Sequence, residues 1–202
     1  METVSKTPVM LYTEQTPNPE SLKFVTNRML YANNLADFRE VELAKEWSPL
    51  AAALFDFPYV KGVYICNNYV TITKEFNYSW DDIMLEAKNF LKKYIEQDGE
   101  IVKEGFETVK AELDAKNLGD YTAEDAAIVG KIKNLIDTYV RPAVEMDGGN
   151  IEFQSYEKGV VSVIMQGSCS GCPSSSVTLK AGIEGMLKRM IPEVQEVVAV
   201  AG

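Results

Sequence analysis

Cys169-Ser170-Gly171-Cys172 sets two thiols at a spacing from which both can ligate one metal centre. Histidine is absent from all 202 residues. That excludes a Ser-His-Asp or Cys-His catalytic pair, a His-ligated zinc hydrolase site and a haem on a proximal His, and leaves thiolate chemistry. Pro173 and three serines follow Cys172. Proline is favoured at the first helical position, so Cys172 is expected at or beside an N-cap, with Cys169 one loop-turn earlier. There the roughly half-unit positive charge of a helix start favours thiolate over thiol. Gly167 and Gly171 remove side chains on both sides of Cys169, and the serines and glycines around the pair predict an exposed loop that admits a bulky anionic ligand.

Two thiolates are half of what an all-thiolate zinc site or a 4Fe-4S cluster requires. The arithmetic predicts a homodimer with metal on its two-fold axis, and the spacing does not separate iron from zinc. A thiol-disulfide oxidoreductase of thioredoxin type also carries its cysteine pair at a helix N-terminus. Such a fold needs a further hairpin and helix after that helix, whereas here one strand ends the chain after Pro192. The oxidoreductase and a zinc-stabilised interaction module are the two alternatives to a metal-cluster protein.

The elements that position the loop are legible by pattern. Strand-like runs at Val9 to Thr13 and Leu22 to Thr26 flank Thr16-Pro17-Asn18-Pro19, whose prolines forbid helix. Ser48 before Pro49 starts a short helix to Phe55. Val63 to Ile65 and Tyr69 to Lys74 form a hairpin about Asn67-Asn68, and the apolar/threonine alternation of the second arm predicts a half-buried strand. Ser79 caps a helix striped by Trp80, Ile83, Met84, Ala87, Leu91, Tyr94 and Ile95, with Asp81 and Asp82 as helix-start charges.

From Gln97 to Asp120 the pattern dissolves around Gly99, Gly105 and Gly119, although Phe106, Val109 and Leu113 suit a turn or two of helix. Thr122 and Asp125 then form a capping box for a helix striped by Ile128, Ile132, Leu135, Ile136 and Tyr139. Asp147-Gly148-Gly149 is a turn with positive backbone dihedrals and is read as structural. A hairpin of Ile151 to Gln154 and Val160 to Met165 leads into the cysteines. Leu179, Ile183, Met186, Leu187 and Met190 stripe the next helix as core, Pro192 stops it, and Val194 to Val200 is the last strand. The expected fold class is α+β, with two small layered domains: residues 1–96, a linker over 97–121, and an α-β-β-α-β domain over 122–202. Arg141 is expected to pair with an acid at its helix end, and Cys66 to be a buried small residue without a ligand role.

A net charge of -10 and a pI near 4.6 disfavour nucleic acid as a partner. No apolar stretch is long enough for a membrane span. Three cysteines are too few for a disulfide framework, and Met1 to Lys6 lacks a secretion or import signal, so a reducing, cytoplasmic setting is expected.

Arg141-Pro142-Ala143-Val144, Met146-Asp147-Gly148-Gly149, Gly167 to Ser175 with both cysteines, Thr178-Leu179-Lys180 and Gly182-Ile183-Glu184 closely resemble the NifU C-terminal domain. Thr16 to Pro19, Ser21 to Phe24, Ser48 to Ala51, Leu54-Phe55 and Val70 to Lys74 with Trp80 resemble the N-terminal domain of Nfu proteins. The resemblance implies a non-enzymatic iron-sulfur cluster carrier. Its cluster, 4Fe-4S with 2Fe-2S as the smaller alternative, would bridge Cys169 and Cys172 of two subunits. Its partners would be a second copy, an upstream scaffold donor and apo iron-sulfur acceptor proteins. The chain departs from the family pattern only in carrying Cys66.

Overall fold

The computed structural model describes residues 8–109, 121–170 and 173–201. In the first half, β1 (Leu11–Gln15), β2 (Ser21–Thr26), β3 (Tyr31–Phe38), β4 (Val60–Asn67) and β5 (Tyr69–Lys74) form one antiparallel sheet in the order β1-β2-β5-β4-β3. Helices α1 (Val41–Trp47), α2 (Pro49–Phe55) and α3 (Trp80–Glu96) cover one face. The sequence signals act locally as expected. The Ser48 hydroxyl accepts the Ala51 amide at 3.0 Å to start α2, and Ser79 caps α3 through the Asp81 amide. Phe24, Ile65 and Ile72 project from the sheet onto Leu50, Leu54 and Leu91, all fully buried, each adding about 2 kcal/mol. Residues 106–109 form a helical turn that drives Phe106 between Phe38 and Trp47, at ring separations of 5.3 and 5.9 Å.

Strand β3 and helix α1 have no counterpart among the sequence expectations. Asn33 and Asn34 interrupt the alternation of β3, and its register against β4 shifts between Tyr31 and Leu35.

The second half runs α4 (Ala123–Leu135), a π-helical turn (Ile136–Val140), α5 (Arg141–Met146), β6 (Gly149–Glu157), β7 (Val160–Gly167), α6 (Pro173–Met190) and β8 (Glu196–Ala201). β6 and β7 are an antiparallel hairpin and β8 lies parallel to β7. The chain is therefore α+β, with one sheet and one main core in each half and a smaller apolar cluster of Val25, Tyr64, Cys66 and Tyr69 on the other face of the first sheet. Thr122 and Asp125 form the expected box, the Thr122 hydroxyl accepting the Asp125 amide at 3.1 Å.

Two expected core residues lie elsewhere. Pro142 has no amide to donate into the helix before it, and the backbone widens into the π turn just upstream. That extra residue rotates the stripe by one position, so Val140 is buried and Tyr139 is 64% exposed. Met190, at the end of α6, is also mostly exposed, and Ile191 takes the buried place.

Candidate functional site

The site is built where β7 ends. Gly167 adopts φ +61, which turns the chain off the sheet into Ser168, Cys169 and Ser170. The Ser168 and Ser170 amides close this turn on the carbonyls of Gly148 and Gly167, at 3.2 Å each. Cys169 is 6% exposed and belongs to the second core. The expectation of an exposed loop is corrected at this residue: the small side chains around it let neighbouring backbone close over the sulfur. Gly171 and Cys172, and with them the expected N-cap position, lie outside the described residues, and α6 is described from Pro173.

The Asp147-Gly148-Gly149 turn, read from sequence as structural, is one wall of the site. Gly148 has the expected positive φ, +80. A Cβ on Gly149 would lie 2.9 Å from the Cys169 sulfur and 2.7 Å from the Gln166 carbonyl oxygen. Only glycine allows β6 to pass this close to the cysteine. The turn is held in turn by Asn150, whose side chain is fully buried. It accepts from Arg141 at 2.8 Å and donates to Gln166 at 2.8 Å and Glu152 at 3.1 Å. Arg141 also pairs with Asp137 at 2.6 Å, as its helix-end position predicts.

On its other side Cys169 borders a cavity of about 570 Å³, walled largely by Val140, Ala143, Val144, Leu179, Ile183 and Met186, with Pro17 and Asp147 at its edge. Among the described residues, no three His, Cys, Asp or Glu side chains come together as a metal set. One chain thus presents Cys169 in a glycine-backed, apolar niche, and its described residues do not complete a metal site.

The first half covers this loop. On the sheet face opposite α1, α2 and α3, Glu14, Lys23, Thr71, Tyr64 and Asp37 form one cross-strand row. Val25, Tyr69, Cys66 and Leu35 form the next. The Thr71 hydroxyl donates to the Gly148 carbonyl at 2.8 Å, Lys23 to Met146 at 3.0 Å, and Tyr69 to Glu145 at 3.5 Å. Arg39, held by Asp37 at 3.0 Å, donates to Gly167 at 3.1 Å. Asn18 donates to the carbonyls of Ser168 at 3.0 Å and Ser170 at 3.5 Å. Strand β5 is consequently buried on both faces, not half-buried as its alternation suggests.

Cys66 is 4% exposed on the same face. Burial pushes its thiol above the ordinary value, the Tyr69 and Tyr64 hydroxyls oppose that, and the Glu145 carboxylate adds to it. Sequence reasoning missed Asn18, Lys23, Thr71 and Gly149 as residues of the site. The signals for Asn18 were its place between two prolines and the resemblance of Thr16 to Pro19 to the Nfu N-terminal domain.

Comparison with known proteins places these two halves. A family model described as the N-terminal part of the scaffold protein Nfu/NifU matches residues 11–98, and one described as a NifU-like domain matches residues 132–198. A protein of Drosophila grimshawi named "NFU1 iron-sulfur cluster scaffold homolog, mitochondrial" is 41% identical over 188 residues, covering 93% of this chain and 60% of the relative. The protein of the same name in Drosophila persimilis is 39% identical over 198 residues, covering 98% and 67%. The chain thus spans about three-fifths to two-thirds of the length of these relatives. A solution NMR structure of a NifU-like protein from Saccharomyces cerevisiae covers 52% of this chain and 92% of its own, with a TM-score of 0.44 and 24% identity. The relatives' mitochondrial names overturn the cytoplasmic expectation. Cysteine usage reports redox conditions, and a reducing setting does not single out the cytoplasm.

Proposed function

The chain belongs to the family of Nfu and NifU-like proteins, and from that premise we propose that it carries an iron-sulfur cluster as cargo and delivers it to apo-proteins. Cys169 and Cys172 are the ligands in this reading. Each chain supplies two thiolates and a 4Fe-4S cluster takes four, so the cargo bridges two copies. The observation that carries the reading is the approach of Gly149 to the Cys169 sulfur. A backbone that passes a cysteine with no intervening side chain brings peptide dipoles close to its sulfur, where they can steady a thiolate and the sulfur-rich cargo it holds. The apolar cavity beside Cys169 limits water at the sulfur and protects a labile cargo from hydrolysis.

Transfer follows from the ligand count. A cluster held by two thiolates per chain exchanges ligands one at a time with an acceptor's cysteines, each incoming thiolate replacing one leaving thiolate, with no change in iron oxidation state. The chain acts as carrier and not as an enzyme. The relatives' names point to mitochondria as the setting for its donors and acceptors.

Anaerobic reconstitution with iron and sulfide, followed by metal and sulfide analysis and sizing, tests this. The expected product is a brown dimer with about four irons and four sulfides per two chains. Cys169→Ser and Cys172→Ser are each expected to stay folded and bind no cluster. A wild-type chain that remains colourless and monomeric while cycling a Cys169–Cys172 disulfide would refute it.

A further inference from the structure

We propose that the N-terminal half is a releasable cap on the cysteine loop, so that the chain alternates between a closed form that hides Cys169 and an open form that can share cargo with a second copy. The proposal rests on the carrier reading for its purpose and on the packing of the two halves for its substance.

The contact joins a small apolar patch, Val25, Tyr64, Cys66 and Tyr69, to a set of hydrogen bonds that are all of one kind. Asn18, Lys23, Arg39, Tyr69 and Thr71 supply side-chain donors from the first half. All the acceptors are backbone carbonyls of the second half, from the end of α5 into the turn before β6 and from the end of β7 into the loop after it. Each half keeps a separate apolar core. Opening uncovers that small patch but neither main core, and water replaces the lost hydrogen-bond partners on both sides.

Closure has a direct cost for sharing. Ser168, Cys169 and Ser170 are 1%, 6% and 6% exposed with Asn18 bonded across them. A bridging cargo requires the loops of two copies to reach one centre, which this buried arrangement does not offer. The Thr16-Pro17-Asn18-Pro19 turn thereby acquires a role that its sequence pattern did not reveal. Its rigid backbone presents Asn18 to the loop, while the Thr16 hydroxyl and the Glu20 amide hold the Asn18 backbone and side chain in place.

Cys66 provides an internal reporter, because it lies on the capping face beside Tyr64 and Tyr69. The test is residue-resolved alkylation of the full chain by N-ethylmaleimide, read by mass spectrometry. It compares the wild type with Thr71→Val/Lys23→Met and with Asn18→Ala/Arg39→Ala, whose folding is checked by circular dichroism. Loss of two of the cross-contact bonds is expected to speed modification of Cys169 about tenfold, with Cys66 accelerating in parallel. If either folded variant shows unchanged Cys169 rates, or Cys169 accelerates while Cys66 does not, the cap is refuted; the latter pattern reports fraying of the loop alone. Iron uptake by unalkylated portions of the same proteins separates the two readings. Variants that open but bind no iron overturn the carrier function and leave the cap standing, whereas iron binding with unchanged thiol rates overturns the cap alone.

Discussion

Replacing Gly149 with alanine puts the construction of the cysteine niche to a quantitative test. The added Cβ would meet the Gln166 carbonyl oxygen at 2.7 Å, the Cys169 sulfur at 2.9 Å and the Cys169 amide nitrogen at 3.1 Å. None of these is the free end of a flexible side chain. Relief must come from parting β6 and β7 where Gly149 faces Gly167, or from displacing the cysteine loop. Overpacking of this kind costs about 2 kcal/mol. With a urea dependence of about 2 kcal/mol per molar, the midpoint of the second half falls by about 1 M. Both tryptophans, Trp47 and Trp80, lie in the first half, so their fluorescence does not report this unfolding. Amide exchange along β6 and β7 as a function of urea does. Gly185→Ala is the control: nothing lies within 4 Å of the position of its Cβ, and alanine for glycine inside α6 should stabilise by about 1 kcal/mol. A Gly149→Ala chain with wild-type midpoint and wild-type iron content would refute the close approach on which the niche depends.

Ser48→Ala removes the cap of α2 and the donor to the Ile101 carbonyl, and should cost about 1–2 kcal/mol, measured as a fall in the urea midpoint of the first half by tryptophan fluorescence. Asn150→Leu strands the Gln166 side-chain oxygen in a buried site and should destabilise the second half by about 2 kcal/mol, read by amide exchange. Cys66 gives a pH dependence. Its folded thiol is raised, so between its ordinary value and its folded value the unfolded chain has lost a proton that the folded chain retains. Stability contributed by this group is complete below the ordinary thiol range and declines as pH rises through the alkaline range. Cys66→Val should flatten that decline, seen by comparing urea midpoints at neutral pH and at about pH 9.5. An equal alkaline loss in both chains would show that the thiol does not contribute.

Much of the fold was legible because its signals are short-range. Ser48-Pro49, Ser79 and Thr122 with Asp125 start the helices their residue types announce, since a cap and its amide lie within three positions. The turn at Glu157-Lys158-Gly159 joins the expected hairpin, with positive φ at Lys158 and Gly159. Legibility failed where a local pattern was broken or shifted. Asn33 and Asn34 hid β3, and the π turn before Pro142 exchanged Tyr139 for Val140. At the site, the spacing of Cys169 and Cys172 announced thiolate chemistry, but Gly149 looked like an ordinary turn residue.

The sequence by itself determined the permitted chemistry, because a chain without histidine and with one close cysteine pair has thiolates as its soft ligands. It also determined most helix starts and the presence of two separate patterned halves. Only the tertiary structure decided that Cys169 is buried, that Gly149 backs its sulfur, and that Asn18 lies across a loop 150 residues further along the chain. The physical reason is range. Propensity, capping and periodicity act over a few residues, whereas the pairing of a threonine on β5 with a carbonyl before β6 depends on two folded surfaces meeting. No local pattern records which face of a strand a distant unit will cover.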